Sequence, residues 1–239
     1  EVLHGVRNWK LQGAGLAFCF GGMALLGVVA QAATAPFLPA TLALGFLFLG
    51  ILPSTVQSAT ASSSMAGGNV AASVVAAALL NLTGVIASQL LFAALAGSAG
   101  AISGAAALRI ALILLLPFVA GQAAQRWLRP WVLRHRELAT FMDRTSIAIA
   151  VYVAFSAAVV GGIWTRLDGR EIGITFAAVA ALLALAFAAA WALGGLLRLR
   201  HPDRVTLLFA GAQKSIAVGA PLAATLFPPA IAGVVLVPI

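Results

Sequence analysis

From Val70 to Ala96 the chain runs for 27 residues without a charged side chain: VAASVVAAALLNLTGVIASQLLFAALA. No other feature restricts the fold as much. The apolar residues fall on every face of a helix and do not alternate with polar ones, as a barrel strand would require. A hydrocarbon layer about 30 Å thick is crossed by about 20 apolar helical residues. Inside it, only a helix or a closed barrel satisfies the backbone. Runs of the same kind occupy 10–33, 38–52, 107–127 (with Pro117 as an expected kink), 145–165, 172–197, 205–227 and 229–239. Composition agrees: 62% of the 239 residues are hydrophobic and 8% charged, with a mean hydropathy of +1.07. Soluble domains carry about a quarter charged residues. The expected fold class is an all-α integral membrane protein forming one transmembrane domain, with membrane lipid as its surroundings.

The net charge of +8 is a topology signal. Arg7 and Lys10 precede the first run, and no charge falls between the first and second runs or within 97–107. Arg126, Arg129, Arg134, Arg136 and Arg144 crowd what reads as a loop after residue 125. Arg166 and Arg170 share a mixed loop with Asp168 and Glu171, and Arg198, Arg200 and Arg204 share another. Lys and Arg concentrate on cytoplasmic loops, so the N-terminal end is expected in the cytoplasm. A nucleic-acid partner is excluded, because the arginines are dispersed among short loops. No residue pattern speaks for a particular oligomeric state.

Enzymatic function finds no support. HExxH, GxSxG and a Gly-rich loop ending in Lys-Ser/Thr are all absent from the sequence. His4, His135 and His201 are far apart and read as loop residues, and the single Cys19 excludes a thiolate cluster, so no metal site is expected. Asp143 and Asp203 stand beside arginines at run ends and read as caps or loop ion pairs. Trp9, Trp127, Trp131 and Trp164 near run ends read as interface anchors.

Two runs are interrupted. After Pro53, nine of the sixteen residues from Ser54 to Asn69 carry a hydroxyl or a carboxamide. The second break lies at Gln213, Lys214 and Ser215, with Gly211, Gly219 and Pro221 nearby. Broken helices at bilayer depth survive only where protein or a watery cavity receives their backbone groups. Paired broken segments mark the binding site of secondary transporters. Ser54, Thr55, Gln57, Ser58, Asn69, Gln213 and Lys214 are the candidate substrate- or ion-binding residues on this ground. Ser62–Ser64 can instead back-bond to their own helix. Asn81, Thr83, Ser88 and Gln89 either line the same cavity or pack. A lysine at mid-span costs about 3 kcal/mol on insertion scales and faces a polar interior. With no acidic residue in any mid-span region, Lys214 is expected to find backbone carbonyls, Gln213 or the Ser/Thr hydroxyls.

Several motifs in order resemble the bile acid:sodium symporter family, in particular the branch of the seventh human member and its bacterial relatives. They are the Pro-Ser-Thr turn at Pro53–Thr55 with its Ser-rich continuation, AGGN at Ala66–Asn69 leading into VAAS, and AQKS at Ala212–Ser215 followed by Gly219, Ala220 and Pro221. The resemblance implies a ten-helix fold of two inverted five-helix repeats, in which the broken fourth and ninth helices cross. On that template 10–33 is helix three, 38–66 the broken helix four, 70–96 helix five, 107–127 six, 145–165 seven, 172–197 eight, 205–227 the broken helix nine, and 229–239 the start of helix ten. The first two helices and the end of the tenth are missing from it. The chain opens on Glu1 and stops within VVLVPI, as expected of a piece of a longer protein.

The resemblance also implies alternating access, a small organic anion as substrate, and a bacterial inner membrane. Ser73 and Ser215 match the family's sodium-site positions, but its helix-nine Glu has become Phe209, its Asn has become Lys214, and a helix-three Gln falls on Cys19. Losing the carboxylate and gaining an ammonium disfavours sodium. The expectation is that Lys214 stands electrostatically in place of the ion, with protons as the alternative coupling ion and no other cofactor. A membrane regulator or scaffold that keeps the fold without transporting is the alternative.

Overall fold

The computed structural model describes residues 8–96, 116, 120–121, 123–160, 162 and 167–239. Among them every regular element is helical. Helix α1 spans Trp9–Thr34 and is interrupted by a π-helical turn at Phe18–Gly22. Helix α2 spans Ala40–Ile51 and the short α3 spans Gln57–Met65. Helix α4 spans Val70–Leu95, α5 Arg136–Val160 and α6 Gly169–Leu196. Helices α7, His201–Ala212, and α8, Ile216–Leu226, are the halves of one broken span, and α9 is Pro229–Val235. Among the described residues four helical segments are long and apolar enough to cross a bilayer: α1, α4, α6 and the broken α7–α8 pair.

Local chemistry sets the boundaries. Pro39 precedes α2, and Pro53 forces the residue before it out of the helical region, so Leu52 is extended with ψ 150°. Gly67 takes φ +74° in the turn that ends α3, a conformation that side chains disfavour. Asn69 caps α4 by accepting from the Ala72 amide, and Ser215 caps α8 by accepting from the Val218 amide. Asp168 and Glu171 form a reciprocal capping box at the start of α6.

Helix α2 is the centre of the bundle, with every residue from Leu42 to Ile51 buried. It lies against α1 so closely that a Cβ on Gly50 would come within 2.6 Å of the Met23 carbonyl oxygen and 3.0 Å of Gly27 Cα. Small residues permit this approach, and dispersion between the backbones then holds the pair. On the other side Phe48, Phe92 and Phe227 meet edge to face, with centroids 5.2–6.2 Å apart, and tie α2 to α4 and α8.

One expectation needs correction. The arginine-rich stretch after residue 125 is not a loop: residues 123–134 are helical and, after a turn at His135, α5 already begins at Arg136. Low hydropathy marks where lipid ends, not where a helix ends, because a helix satisfies its own backbone in water as well as in lipid. His201 likewise opens α7 and is not in a loop. The expected kink at Pro117 and most of the 107–127 run lie outside the described residues, as do His4 and Trp164.

Candidate functional site: the crossing of two broken helices

A helix that stops at a proline inside a membrane protein leaves its last carbonyls without intrahelical donors. At the end of α2 five consecutive carbonyls each find one elsewhere. Lys214 Nζ donates to Gly50 O at 3.1 Å and to Leu52 O at 2.7 Å. Ser88 Oγ donates to Ile51 O at 2.7 Å, and Asn81 Nδ2 to Ser54 O at 2.9 Å. The Ser215 amide donates to Pro53 O at 3.0 Å, which brings the second break directly onto the first.

Lys214 also donates to the Cys19 carbonyl at 3.0 Å and lies 3.4 Å from the Cys19 thiol, both in the π turn of α1. Its ammonium is therefore held among three carbonyl oxygens from two chain segments. The C-terminal dipole of α2 points at it, a favourable place for a cation. The company of Lys214 is backbone and one sulfur, without the Ser/Thr hydroxyls or Gln213 that were the other expected partners. A charge-assisted hydrogen bond contributes about 1.5–3 kcal/mol, so three of them can hold a desolvated ammonium.

The hydroxyls take other places. Thr55 and Ser58 share a short hydrogen bond at the start of α3, and Thr55 Oγ1 accepts from the Ala59 amide at 3.2 Å. Ser54 is buried, with its hydroxyl 3.4 Å from Thr55 O. Gln213 Nε2 donates to Ser62 Oγ at 3.4 Å, while its Oε1 is buried without a partner. Thr55, Ser58, Gln213 and Lys214 form the polar side of a cavity of about 310 Å³, whose opposite wall includes Leu182 and Phe187 of α6.

The side chains of three expected residues take no part in this crossing. Gln57 is exposed at the first position of α3. Ser73 is buried between α3 and α4, 3.2 Å from the Thr60 hydroxyl. Asn69 belongs to a separate polar knot at the start of α4 and α7. There Asn69 Nδ2 and Asn8 Nδ2 each donate to one oxygen of the buried Asp203 carboxylate at 2.9 Å, and Ser63 and Thr206 pair at 3.0 Å. Backbone carbonyls were expected around Lys214 and the resemblance pointed to the position of Cys19, but Gly50 and Leu52 escaped the sequence reading, since a carbonyl ligand leaves no side-chain signature. The stop before Pro53 was the one available signal. Among the described residues no group of three His, Cys, Asp or Glu is placed to hold a metal ion.

Two helix breaks meeting around a polar cavity form an arrangement found in membrane transporters. Residues 1–239 match the SBF-like CPA transporter family, and the chain belongs to that family. It is 38% identical over 241 residues to "Uncharacterized protein PA2026" of Pseudomonas aeruginosa, covering all of this chain and 72% of that protein. It is 36% identical over 198 residues to "Putative symporter YfeH" of Escherichia coli K12, covering 82% of this chain and 59% of that protein. The chain thus spans less than two thirds of the second relative's length.

Proposed function

We propose that the chain is part of a secondary transporter that moves a small organic anion by alternating access around the crossing, in the manner of bile acid:sodium symporters but with Lys214 in place of sodium. The observation that carries the reading is the ammonium seated on the carbonyls of Cys19, Gly50 and Leu52. A monovalent cation at that point neutralises the negative end of α2, and here the protein supplies it covalently. The N-termini of α3 and α8 are also at the crossing, and helix N-termini favour an anionic substrate. The symporter name of the Escherichia coli relative supports transport. With sodium displaced, a proton is the coupling ion of this proposal. The remaining parts of the reading are the ten-helix inverted-repeat fold, a bacterial inner membrane and a cytoplasmic N-terminal end. The basic segments at 126–144 and 198–204 support that orientation.

Uptake by the full-length protein in proteoliposomes tests this, with a panel of amphipathic carboxylates and sulfates. Uptake that is indifferent to replacing sodium with choline, and that is driven by a pH gradient, is expected. Strict sodium dependence would refute the role given to Lys214. Binding of panel anions without uptake under any gradient would favour the scaffold alternative.

A further inference from the structure

The basic helical segment around α5 offers more than an orientation signal. On α5, Arg136, Thr140 and Arg144 follow one another at four-residue spacing and therefore stack on one face. With Glu137 and Phe141 they line a groove on the surface. A second groove shares Phe141 and Arg144 and continues along Thr145, Ala148, Ile149 and Tyr152. Phe141, Ile149 and Tyr152 are all exposed. Among the described residues neither the Arg136 nor the Arg144 side chain makes a hydrogen bond or ion pair.

The two shallow hollows adjoin at Phe141 and Arg144 on the open surface of one helix, and together they present a cationic, hydroxyl-bearing head and an apolar tail. The Cα atoms of Arg136 and Arg144 are separated by about 12 Å along the axis, at 1.5 Å per residue. Two arginine side chains reaching inward over Thr140 can therefore meet one phosphate. From Thr145 to Val160 the helix carries no charged residue and is largely apolar. The exposed Trp127 and Trp131 in the preceding helix stand where aromatic rings favour the headgroup level. Arg126 lies over the Trp127 ring at 5.2 Å and is thus engaged elsewhere.

We propose that this face of α5 binds one anionic phospholipid, with its phosphate between Arg136 and Arg144 and an acyl chain along Ala148, Ile149 and Tyr152. Charge complementarity selects the occupant. Guanidinium groups match phosphate oxygens with paired, charge-assisted hydrogen bonds. Glu137 leaves the head with two positive charges against one negative, so a zwitterionic lipid gains less than an anionic one. The site is independent of the crossing and stands whether or not the protein transports.

Native mass spectrometry of the full chain, released from nanodiscs of phosphatidylcholine with a minority of phosphatidylglycerol, reads the site directly. Retention of one phosphatidylglycerol in preference to phosphatidylcholine is expected. The double variant Arg136→Gln/Arg144→Gln should lose about 30-fold in that preference, which corresponds to ~1 kcal/mol per arginine. The control Arg126→Gln/Arg129→Gln removes the same charge nearby and should keep the preference. Equal retention of both lipids by the wild type overturns the proposal, as does equal loss in both variants, which would mean diffuse attraction. A dimer that survives detergent with this face protected and no lipid bound overturns it too, since the occupant would then be a second copy. The arginines are exposed, and an unchanged melting midpoint confirms that each variant folds.

Discussion

Replacing Lys214 with methionine removes the ammonium and keeps the bulk of the side chain. The carbonyl oxygens of Cys19 and Gly50 then lose their lysine donor at the crossing, and Leu52 O keeps only the weak Cys19 thiol donor at 3.7 Å. Each buried acceptor left unsatisfied costs about 1–3 kcal/mol, so the loss for two of them is of order 2–6 kcal/mol. Removing a charge from mid-span returns about 3 kcal/mol. The two nearly cancel, so the variant should fold with a midpoint lowered by only a few degrees. The distinctive consequence is a vacant carbonyl cage that a small cation and its water can fill. Sodium at ten times its dissociation constant stabilises the folded protein by about 1.4 kcal/mol. For a chain of this size that raises the midpoint by roughly 4 °C. Thermal unfolding in detergent, with sodium chloride against choline chloride at equal ionic strength, reads it: the variant should respond and the wild type should not. Equal responses, or a variant indifferent to sodium, would refute the view that Lys214 occupies a cation position.

Gly50→Val should be severely destabilising, by about 1–3 kcal/mol or more, because the new side chain meets the Met23 carbonyl and the Gly27 backbone, which cannot yield; the melting midpoint checks it. Asn69→Ala removes both the cap of α4 and one donor to Asp203, and should cost about 1–2 kcal/mol, read by thermal unfolding. In transport assays the same variant should leave the apparent affinity for substrate unchanged, because the knot at Asp203 is apart from the crossing. Ser88→Ala strands the Ile51 carbonyl and should lower stability by about 1–3 kcal/mol, whereas Gln57→Ala at an exposed position should change it by less than about half a kcal/mol, both read by thermal unfolding.

Much of this protein is legible in one dimension because lipid is a severe solvent. A run such as 70–96 cannot be anything but a spanning helix, since nothing else satisfies the backbone there. Both interruptions are visible for the same reason: Pro53 and the Gln213–Ser215 triplet are too polar or too restrictive to continue a helix in hydrocarbon. The charge of Lys214 at mid-span likewise announces a buried polar partner. The extent of the basic helix was not legible, because charged residues are equally at home in a solvated helix and in a loop.

What the amino-acid order alone determined is where long apolar helices such as Val70–Leu95 run and where two helices break, since both follow from transfer energies of successive residues. Tertiary structure decided what the breaks are for. Carbonyl oxygens from Cys19, Gly50 and Leu52 are identical in chemistry to every other backbone oxygen, and only folding gathers them around one ammonium. It also drew Asn69 away to Asp203 and left Gln57 exposed, although composition had placed both beside the first break. A side chain's identity is local, whereas the partner that satisfies it is separated by more than a hundred residues and is set by packing.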